Sequence, residues 1–216
     1  MGRLVLLRHG QTDFNVQHRF QGRVDISLNA EGVTQARAAA SALVAGFRFG
    51  RIVASPLLRA VVTAQAVADL VDLPVETDER LVERGFGVLE GEVYTEMSQK
   101  YSRELDEYRR VGECAAAGIE PRREVGKRVA EAVRAAAVLA QANHGDNEDA
   151  RGVDVLLVLH GAAISAGITA LLGMDATDWH GIGGNDNCHW SVLEQGQRVP
   201  GWRLVAHNVG AQDTAR

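Results

Sequence analysis

Short apolar runs alternate along this chain with longer stretches in which apolar positions recur every three or four residues. The short runs predict strands and the longer stretches predict amphipathic helices. Strands are expected at 4–7, 51–54, 74–79 and 153–159, and two further strands at 188–194 and 203–207. Helices are expected at 29–45, 55–71, 94–110, 122–142 and 161–172. This alternation predicts an α/β fold, a three-layer α/β/α sandwich whose mostly parallel central sheet has helices on both faces, with one of the last two strands antiparallel at an edge.

The order of these elements shows no repeat and no linker between domains. We therefore predict one domain over residues 1–216, because this length suits a single α/β domain with its own core. The segment at about 92–122 is expected to form a small cap over the functional site. The polar run at about 143–152 is predicted to be a flexible connection.

Charged and imidazole side chains stand where the predicted strands end. Arg8 and His9 follow the first strand, Arg59 lies one turn into the helix after the second, and His160 follows the strand at 153–159. The carboxyl ends of parallel strands meet at one edge of a sheet, so these four side chains are expected to converge into an oxyanion pocket. A histidine can be the nucleophile there. One ring nitrogen of His9 must then be bare, and the other is expected to donate to a backbone carbonyl.

Five blocks of residues stand in order over nearly the whole chain. They are Leu7-Arg8-His9-Gly10-Gln11-Thr12 with Asn15, Arg19-Phe20-Gln21-Gly22 with Asp25 and Leu28, Ser55-Pro56-Leu57-Leu58-Arg59 with Thr63-Ala64, Leu81-Val82-Glu83 with Gly87 and Glu90-Gly91, and His160-Gly161. A lone Arg-His-Gly triplet would be weak evidence, since short motifs recur by chance. Together the five blocks resemble the signature of the histidine phosphatase superfamily, which includes the phosphoglycerate mutases.

The resemblance implies roles for the matching positions. His9 would carry the phosphoryl group and Glu83 would be the proton donor. The side chains implied to hold the phosphoryl oxygens or the substrate are Arg8, Asn15, Gln21, Arg59, Glu83 and His160, together with Gly161. The implied activity is that of a phosphomonoesterase, which hydrolyses a small phosphorylated metabolite through a phosphohistidine.

The C-terminal part narrows the resemblance. Trp179, residues 183–190 and residues 201–204 are similar to the corresponding parts of bacterial glucosyl-3-phosphoglycerate phosphatases. This similarity implies a phosphorylated glyceryl glycoside as substrate. The segment Gly118-Ile119-Glu120-Pro121 departs from a Gly-Glu-Ser-like element that is common in the superfamily, so no substrate contact is carried over to it.

Three other functions remain open at this point. A mutase would use the same pocket but return the phosphoryl group to another hydroxyl. A catalytically silent sensor of phosphorylated metabolites would need neither the His9 nucleophile nor the Glu83 proton donor. A metallophosphatase is disfavoured because the remaining histidines lack the spacing of metal ligands, so we expect no metal and no cofactor.

Composition and charge limit the partners. A net charge of −5 argues against nucleic-acid binding, which relies on clustered Lys and Arg. Only two cysteines occur, which favours a reducing compartment, and the apolar run near the start is too short for a signal peptide or a membrane span. We therefore expect a cytoplasmic protein that binds no membrane. Exposed edge strands would allow a homodimer.

Overall fold

The computed structural model of this chain describes residues 2–142 and 152–214. The six strands in this part of the chain form one sheet in the order β3-β2-β4-β1-β5-β6. Their bounds are β1 (Leu4–Arg8), β2 (Phe49–Ala54), β3 (Val75–Thr77), β4 (Asp154–Leu159), β5 (Trp190–Gln195) and β6 (Trp202–Val209). All but the last residue of the connection predicted to be flexible at 143–152 lie outside the described residues.

Strands β1 to β4 are parallel to one another, as the sequence predicts, but the antiparallel strand is not at the edge. β5 pairs antiparallel with β1 on one side and with β6 on the other, so β6 is the edge strand. The first four residues of β5 are all buried, whereas burial along the first half of β6 alternates. A strand buried on both faces is typical of the interior of a sheet, which explains the order found.

Helices cover both faces of this sheet. They are α1 (Asp13–Val16), α2 (Ala30–Gly46), α3 (Leu58–Val71), α4 (Tyr94–Lys100), α5 (Ser102–Val111), α6 (Arg122–Ala142) and α7 (Gly161–Leu171). In β1, Val5 and Leu7 pack with α2 and α3, whereas Leu4 and Leu6 pack with α6 and α7. Successive side chains of a strand point to opposite faces, so two separate cores form, and the predicted three-layer sandwich is confirmed. Within the described residues no helix is long and apolar enough to span a membrane.

Two predicted elements have different bounds. The helix predicted at 94–110 is two helices, α4 and α5, separated at Tyr101, where φ is −133° and ψ is 44°. The break allows both Met97 and Leu105 to be fully buried in one small core. The strand predicted at 74–79 covers only Val75–Thr77, because the Asp78 side chain accepts from the Arg80 N–H at 2.9 Å and starts a 3₁₀ helix.

That small core, which we call the cap cluster, consists of Phe86, Leu89, Met97, Leu105, Cys114, Ala117 and Ile119. Buried Arg84 links its parts, since its guanidinium donates to the carbonyls of Glu120 at 2.7 Å and Gly112 at 2.9 Å and pairs with Glu113 at 2.6 Å. The predicted cap at 92–122 is thus packed on the loop that carries Glu83. The division of the chain into one domain with a cap stays a prediction.

Candidate active site

A cavity of about 580 Å³ opens at the edge of the sheet where β1 and β2 end. Four residues were predicted to converge, and three of them, Arg8, His9 and Arg59, are on the wall of this cavity. The other residues on the wall are Phe14, Asn15, His18, Arg19, Phe20, Gln21, Gly22, Glu83, Phe86, Asp186 and Asn187. A cavity of this size holds a phosphate group together with the organic part of a small metabolite.

His9 follows the last residue of β1 and is buried. Its Nδ1 lies 2.7 Å from the carbonyl oxygen of Gly10. A carbonyl oxygen can only accept, so Nδ1 carries the proton and Nε2 keeps a free lone pair. This is the hydrogen bond to a backbone carbonyl that the sequence analysis expects, and it makes Nε2 the nitrogen that is able to attack phosphorus.

His160 is fully buried next to His9, and the two ring centroids are 5.1 Å apart with a tilt of 56°. The rings meet because β1 and β4 are neighbouring parallel strands, in which Arg8 pairs with Leu159. His160 lies behind the cavity wall. Its Nε2 is 2.8 Å from the hydroxyl oxygen of Ser55, and its buried Nδ1 has no partner.

Burial lowers the pKa of both imidazoles well below the usual range, and the neighbouring guanidinium groups lower it further. Arg8 and Arg59 act on His9 in this way, and Arg59 has the larger effect of the two on His160. Both rings are therefore neutral near pH 7. A neutral His9 is the form that has a free lone pair for attack.

Two arginines flank the histidines. The Arg59 guanidinium is held by the carbonyls of Val24 and Gly22, both at 2.8 Å, and Arg8 donates to the carbonyl of Asn185 at 2.7 Å. Burial lowers the pKa of each arginine, while the Glu83 charge raises it. The Nε groups of Arg8 and Arg59 and Nδ1 of His160 are all buried without a hydrogen-bond partner. Buried N–H groups are nearly always paired, so these three nitrogens, on residues that neighbour His9, are candidates to hold an oxyanion.

Glu83 is in the loop that follows Leu81, and its carboxylate lies against the backbone at the N-terminus of α7. Its Oε1 accepts from the backbone N–H groups of Arg84 at 2.9 Å and Ala163 at 3.0 Å, and its Oε2 accepts from Ala162 at 3.3 Å. A helix N-terminus favours an anionic group at this place. The carboxylate is fixed on the cavity wall with 9% of the residue exposed.

Asn15 and Gln21 are on the cavity wall, and Gly161 lies next to the Arg8 guanidinium. Asn15 Oδ1 accepts from Thr12 N at 3.0 Å in a capping box of α1, which leaves its NH₂ group as the donor for a ligand. Gln21 Oε1 is buried without a partner. A Cβ at Gly161 would lie 3.6 Å from the Arg8 guanidinium carbon, an ordinary contact, so steric exclusion does not explain a glycine there.

Sequence reasoning assigned no site role to the loop 185–187, which packs against the end of β1. Asn187 Nδ2 donates to the His9 carbonyl at 3.0 Å and to Asn15 Oδ1 at 3.3 Å. Asn185 supplies the carbonyl that holds Arg8. The one sequence signal for a site role of this loop was its polar run directly before the apolar run of β5. Among the described residues, no group of three or more His, Cys, Asp and Glu side chains could hold a metal ion.

Comparison with known proteins agrees with this geometry. The model of the histidine phosphatase superfamily (branch 1) matches residues 4–210. The chain is 36% identical to glucosyl-3-phosphoglycerate phosphatase of Mycobacterium tuberculosis over 97% of this chain and 96% of that protein. It is 40% identical to a 2,3-bisphosphoglycerate-dependent phosphoglycerate mutase of Nitrosococcus oceani, but over 55% of this chain and 49% of the mutase.

A solved structure extends the likeness to three dimensions. The mycobacterial glucosyl-3-phosphoglycerate phosphatase in complex with VO3 superposes with a TM-score of 0.84 and 32% identity, over 97% of this chain and all of that chain. The superfamily match covers β1 through β6, and the relative is aligned over nearly its full length. This chain therefore belongs to the histidine phosphatase superfamily.

Proposed function

We propose that this chain hydrolyses the phosphate ester of a small metabolite through a phosphohistidine on Nε2 of His9. The superfamily and its phosphatase relatives indicate a phosphoric monoester hydrolase. The observation that carries the mechanism is the set of three buried, unpaired nitrogens on Arg8, Arg59 and His160 around the bare Nε2 of His9. Such donors could stabilise the charge on the phosphoryl oxygens, and phosphoryl transfer depends on this stabilisation and on positioning.

In the first step the Nε2 lone pair of His9 attacks phosphorus while the phosphorus–oxygen ester bond breaks. Arg8, Arg59 and His160 hold the three peripheral oxygens, and Asn15 supplies one more hydrogen bond from its NH₂ group. Glu83 enters this step in its protonated form, gives that proton to the departing alkoxide and becomes the carboxylate that backbone N–H groups hold on the cavity wall. A proton delivered in the transition state contributes about 10²- to 10⁴-fold to such reactions.

In the second step water attacks the phosphohistidine. Glu83, now ionised, takes a proton from the water, the nitrogen–phosphorus bond breaks, and inorganic phosphate leaves with His9 restored to its neutral form. Nothing in this cycle requires a metal ion. We propose that the enzyme is metal-independent, and unchanged turnover in excess chelator would support this.

The substrate we propose is glucosyl-3-phosphoglycerate or a closely related phosphorylated glyceryl glycoside. Support comes from the full-length similarity to the mycobacterial phosphatases, in contrast to the half-length match with the mutase. Gln21 and Gly161 complete the proposed set of substrate-binding residues. A mutase reaction is the second candidate, since the mutase match covers 55% of this chain.

Measurement of phosphate release from glucosyl-3-phosphoglycerate, 3-phosphoglycerate and an aryl phosphate tests the proposal. We expect release from all three in the wild type and none above background in His9→Ala. Exchange between phosphoglycerate isomers without release of phosphate would favour the mutase instead. Binding of these esters without either reaction would favour the sensor.

We further propose a cytoplasmic homodimer. Both cysteines are free and buried, which is compatible with a reducing compartment. Among the described residues the edge strand β6 is paired on one side only, its Val205 is 50% exposed, and such an edge can pair with another copy. Light scattering at several concentrations tests the dimer, and fractionation of cells tests the location.

A further inference from the structure

Arg19 lies on the wall of the same cavity as His9. Its Nη1 donates to the Gly91 carbonyl at 3.1 Å, and its guanidinium carbon is 5.3 Å from the centre of the Phe14 ring. One hydrogen bond and one aromatic face thus hold the plane of the guanidinium. The group is positioned in advance for a ligand.

The charge of Arg19 is not balanced by the protein. Within residues 2–142 and 152–214, no carboxylate forms an ion pair with Arg19, and its Nε is buried without a partner. By contrast, Arg23 meets Glu120 at 3.0 Å and Arg84 meets Glu113 at 2.6 Å. A partly buried guanidinium without an acidic partner is costly unless an anion completes it.

The cavity wall as a whole carries excess positive charge. Its three arginines, Arg8, Arg19 and Arg59, outnumber its two carboxylates, Glu83 and Asp186, and His9 is neutral. The carboxylate of Glu83 is already engaged by backbone N–H groups of α7. The proposed mechanism assigns Arg8 and Arg59, with His160 and Asn15, to the phosphoryl group, so Arg19 is available for a second anion on the same ligand.

We propose that Arg19 binds the carboxylate of the ester's organic part, so that the enzyme selects phosphate esters with a carboxylate close to the phosphate. This inference rests on the proposed phosphatase function and assigns its selectivity to one side chain. A glycerate unit carries its carboxylate two bonds from the carbon that bears the phosphate, which suits a guanidinium on the wall of the same cavity. Arginine binds carboxylates through two parallel N–H groups, and Nε is one of the donors that can take part.

The test compares two esters that differ only in this group. In 3-phosphoglycerate the carbon that ends the chain is a carboxylate, and in glycerol 3-phosphate it is a hydroxymethyl group. We expect the wild type to have a kcat/KM for 3-phosphoglycerate about 10- to 100-fold above that for glycerol 3-phosphate, the value for a charge-assisted hydrogen bond. In Arg19→Met this ratio is expected to fall to near one. Arg37→Met, which removes an exposed arginine from α2, is the matched control and should keep the wild-type ratio.

The ratio separates this role from a structural one, since a disturbed fold lowers both rates together. A wild-type ratio near one, or a ratio that Arg19→Met leaves unchanged, overturns the inference. If Arg19→Met does not fold, Arg19→Lys decides, because it keeps the charge but loses Nε and should give an intermediate ratio. An aryl phosphate tests the underlying function separately. If the wild type hydrolyses the aryl phosphate but its kcat/KM ratio for 3-phosphoglycerate over glycerol 3-phosphate is near one, only the role of Arg19 is refuted. If it hydrolyses none of the esters, the phosphatase function itself is refuted.

Discussion

The Nε2 atom of His160 lies 2.8 Å from the hydroxyl oxygen of Ser55, and both residues are fully buried. Burial keeps the pKa of His160 well below its usual range, so the ring is neutral and carries one proton. Ser55 Oγ accepts from the Leu57 N–H at 3.4 Å, and its hydroxyl hydrogen can be donated to Nε2. When Ser55 donates to Nε2, the ring proton of His160 is on Nδ1, the nitrogen that has no partner among the described residues and can donate to a phosphoryl oxygen.

Removal of this hydroxyl should impair phosphoryl binding in the transition state. We expect Ser55→Ala to lower kcat/KM about tenfold, or about 1.4 kcal/mol, because His160 loses the partner that fixes its tautomer. Ser55→Thr keeps a hydroxyl and should retain most of the activity. Steady-state kinetics on an aryl phosphate measures both, and equal loss in the two variants would argue against a role for the hydroxyl.

Glu83→Gln should lower kcat by about 10²- to 10⁴-fold and change KM little, since the proton is needed only in the transition state. The effect should be smaller for an aryl phosphate, whose leaving group needs less help from a proton. Glu79→Gln is the matched control, because Glu79 is exposed at the start of the same loop. A Glu83→Gln variant that weakens binding as much as it slows turnover would contradict the assigned role.

The pKa values of His9 and His160 predict how stability depends on pH. Both are lowered in the folded state, so the unfolded chain binds more protons as pH falls below about 6.5. Their contribution is fully present above that pH and is lost below it, by up to about 1.4 kcal/mol per pH unit for each histidine. Urea unfolding of the wild type and of His160→Gln at roughly pH 7 and 5.5 measures this loss. The variant should lose less stability than the wild type, and parallel losses would contradict the prediction.

Asn185 is expected to contribute to stability and to phosphate binding at the same time. Its side chain accepts from Ser191 Oγ at 3.0 Å and donates to the His189 carbonyl at 3.2 Å, while its own carbonyl holds Arg8. Asn185→Ala should lower the free energy of unfolding by about 1–3 kcal/mol, because it leaves buried polar groups unpaired. Competitive inhibition by inorganic phosphate should weaken as Arg8 loses its fixed position. Unchanged inhibition in a folded variant would show that the carbonyl does not depend on the side chain.

The sequence predicted the meeting of His9 and His160 because both follow long apolar runs, and parallel strands place their carboxyl ends at one edge. It did not predict the role of the loop 185–187. That loop precedes β5, which is antiparallel, so its amino end lies at the same edge as the carboxyl ends of the other strands. Strand direction is set by pairing with β1, and no local pattern encodes it.

The cap shows a second limit of sequence patterns. Helical spacing continues through Tyr101, but the chain breaks there into α4 and α5, which place Met97 and Leu105 in the cap cluster. The sequence also could not predict that Arg19 lacks an acidic partner in the described part of the chain, because ion pairs such as that between Arg84 and Glu113 form between segments distant in the sequence. Local pattern thus predicted the layers and the strand ends, whereas tertiary packing determined the cavity wall.

The most direct test is to trap the phosphorylated enzyme. Wild type and Glu83→Gln are mixed with a phosphate-labelled ester, quenched in alkali, which preserves phosphohistidine, and analysed by mass spectrometry and ³¹P NMR. We expect the label on Nε2 of His9, with more accumulated in Glu83→Gln, and none on the protein in His9→Asn. Release of phosphate at the full rate while His9 stays unmodified, or from His9→Asn, would contradict the proposed mechanism.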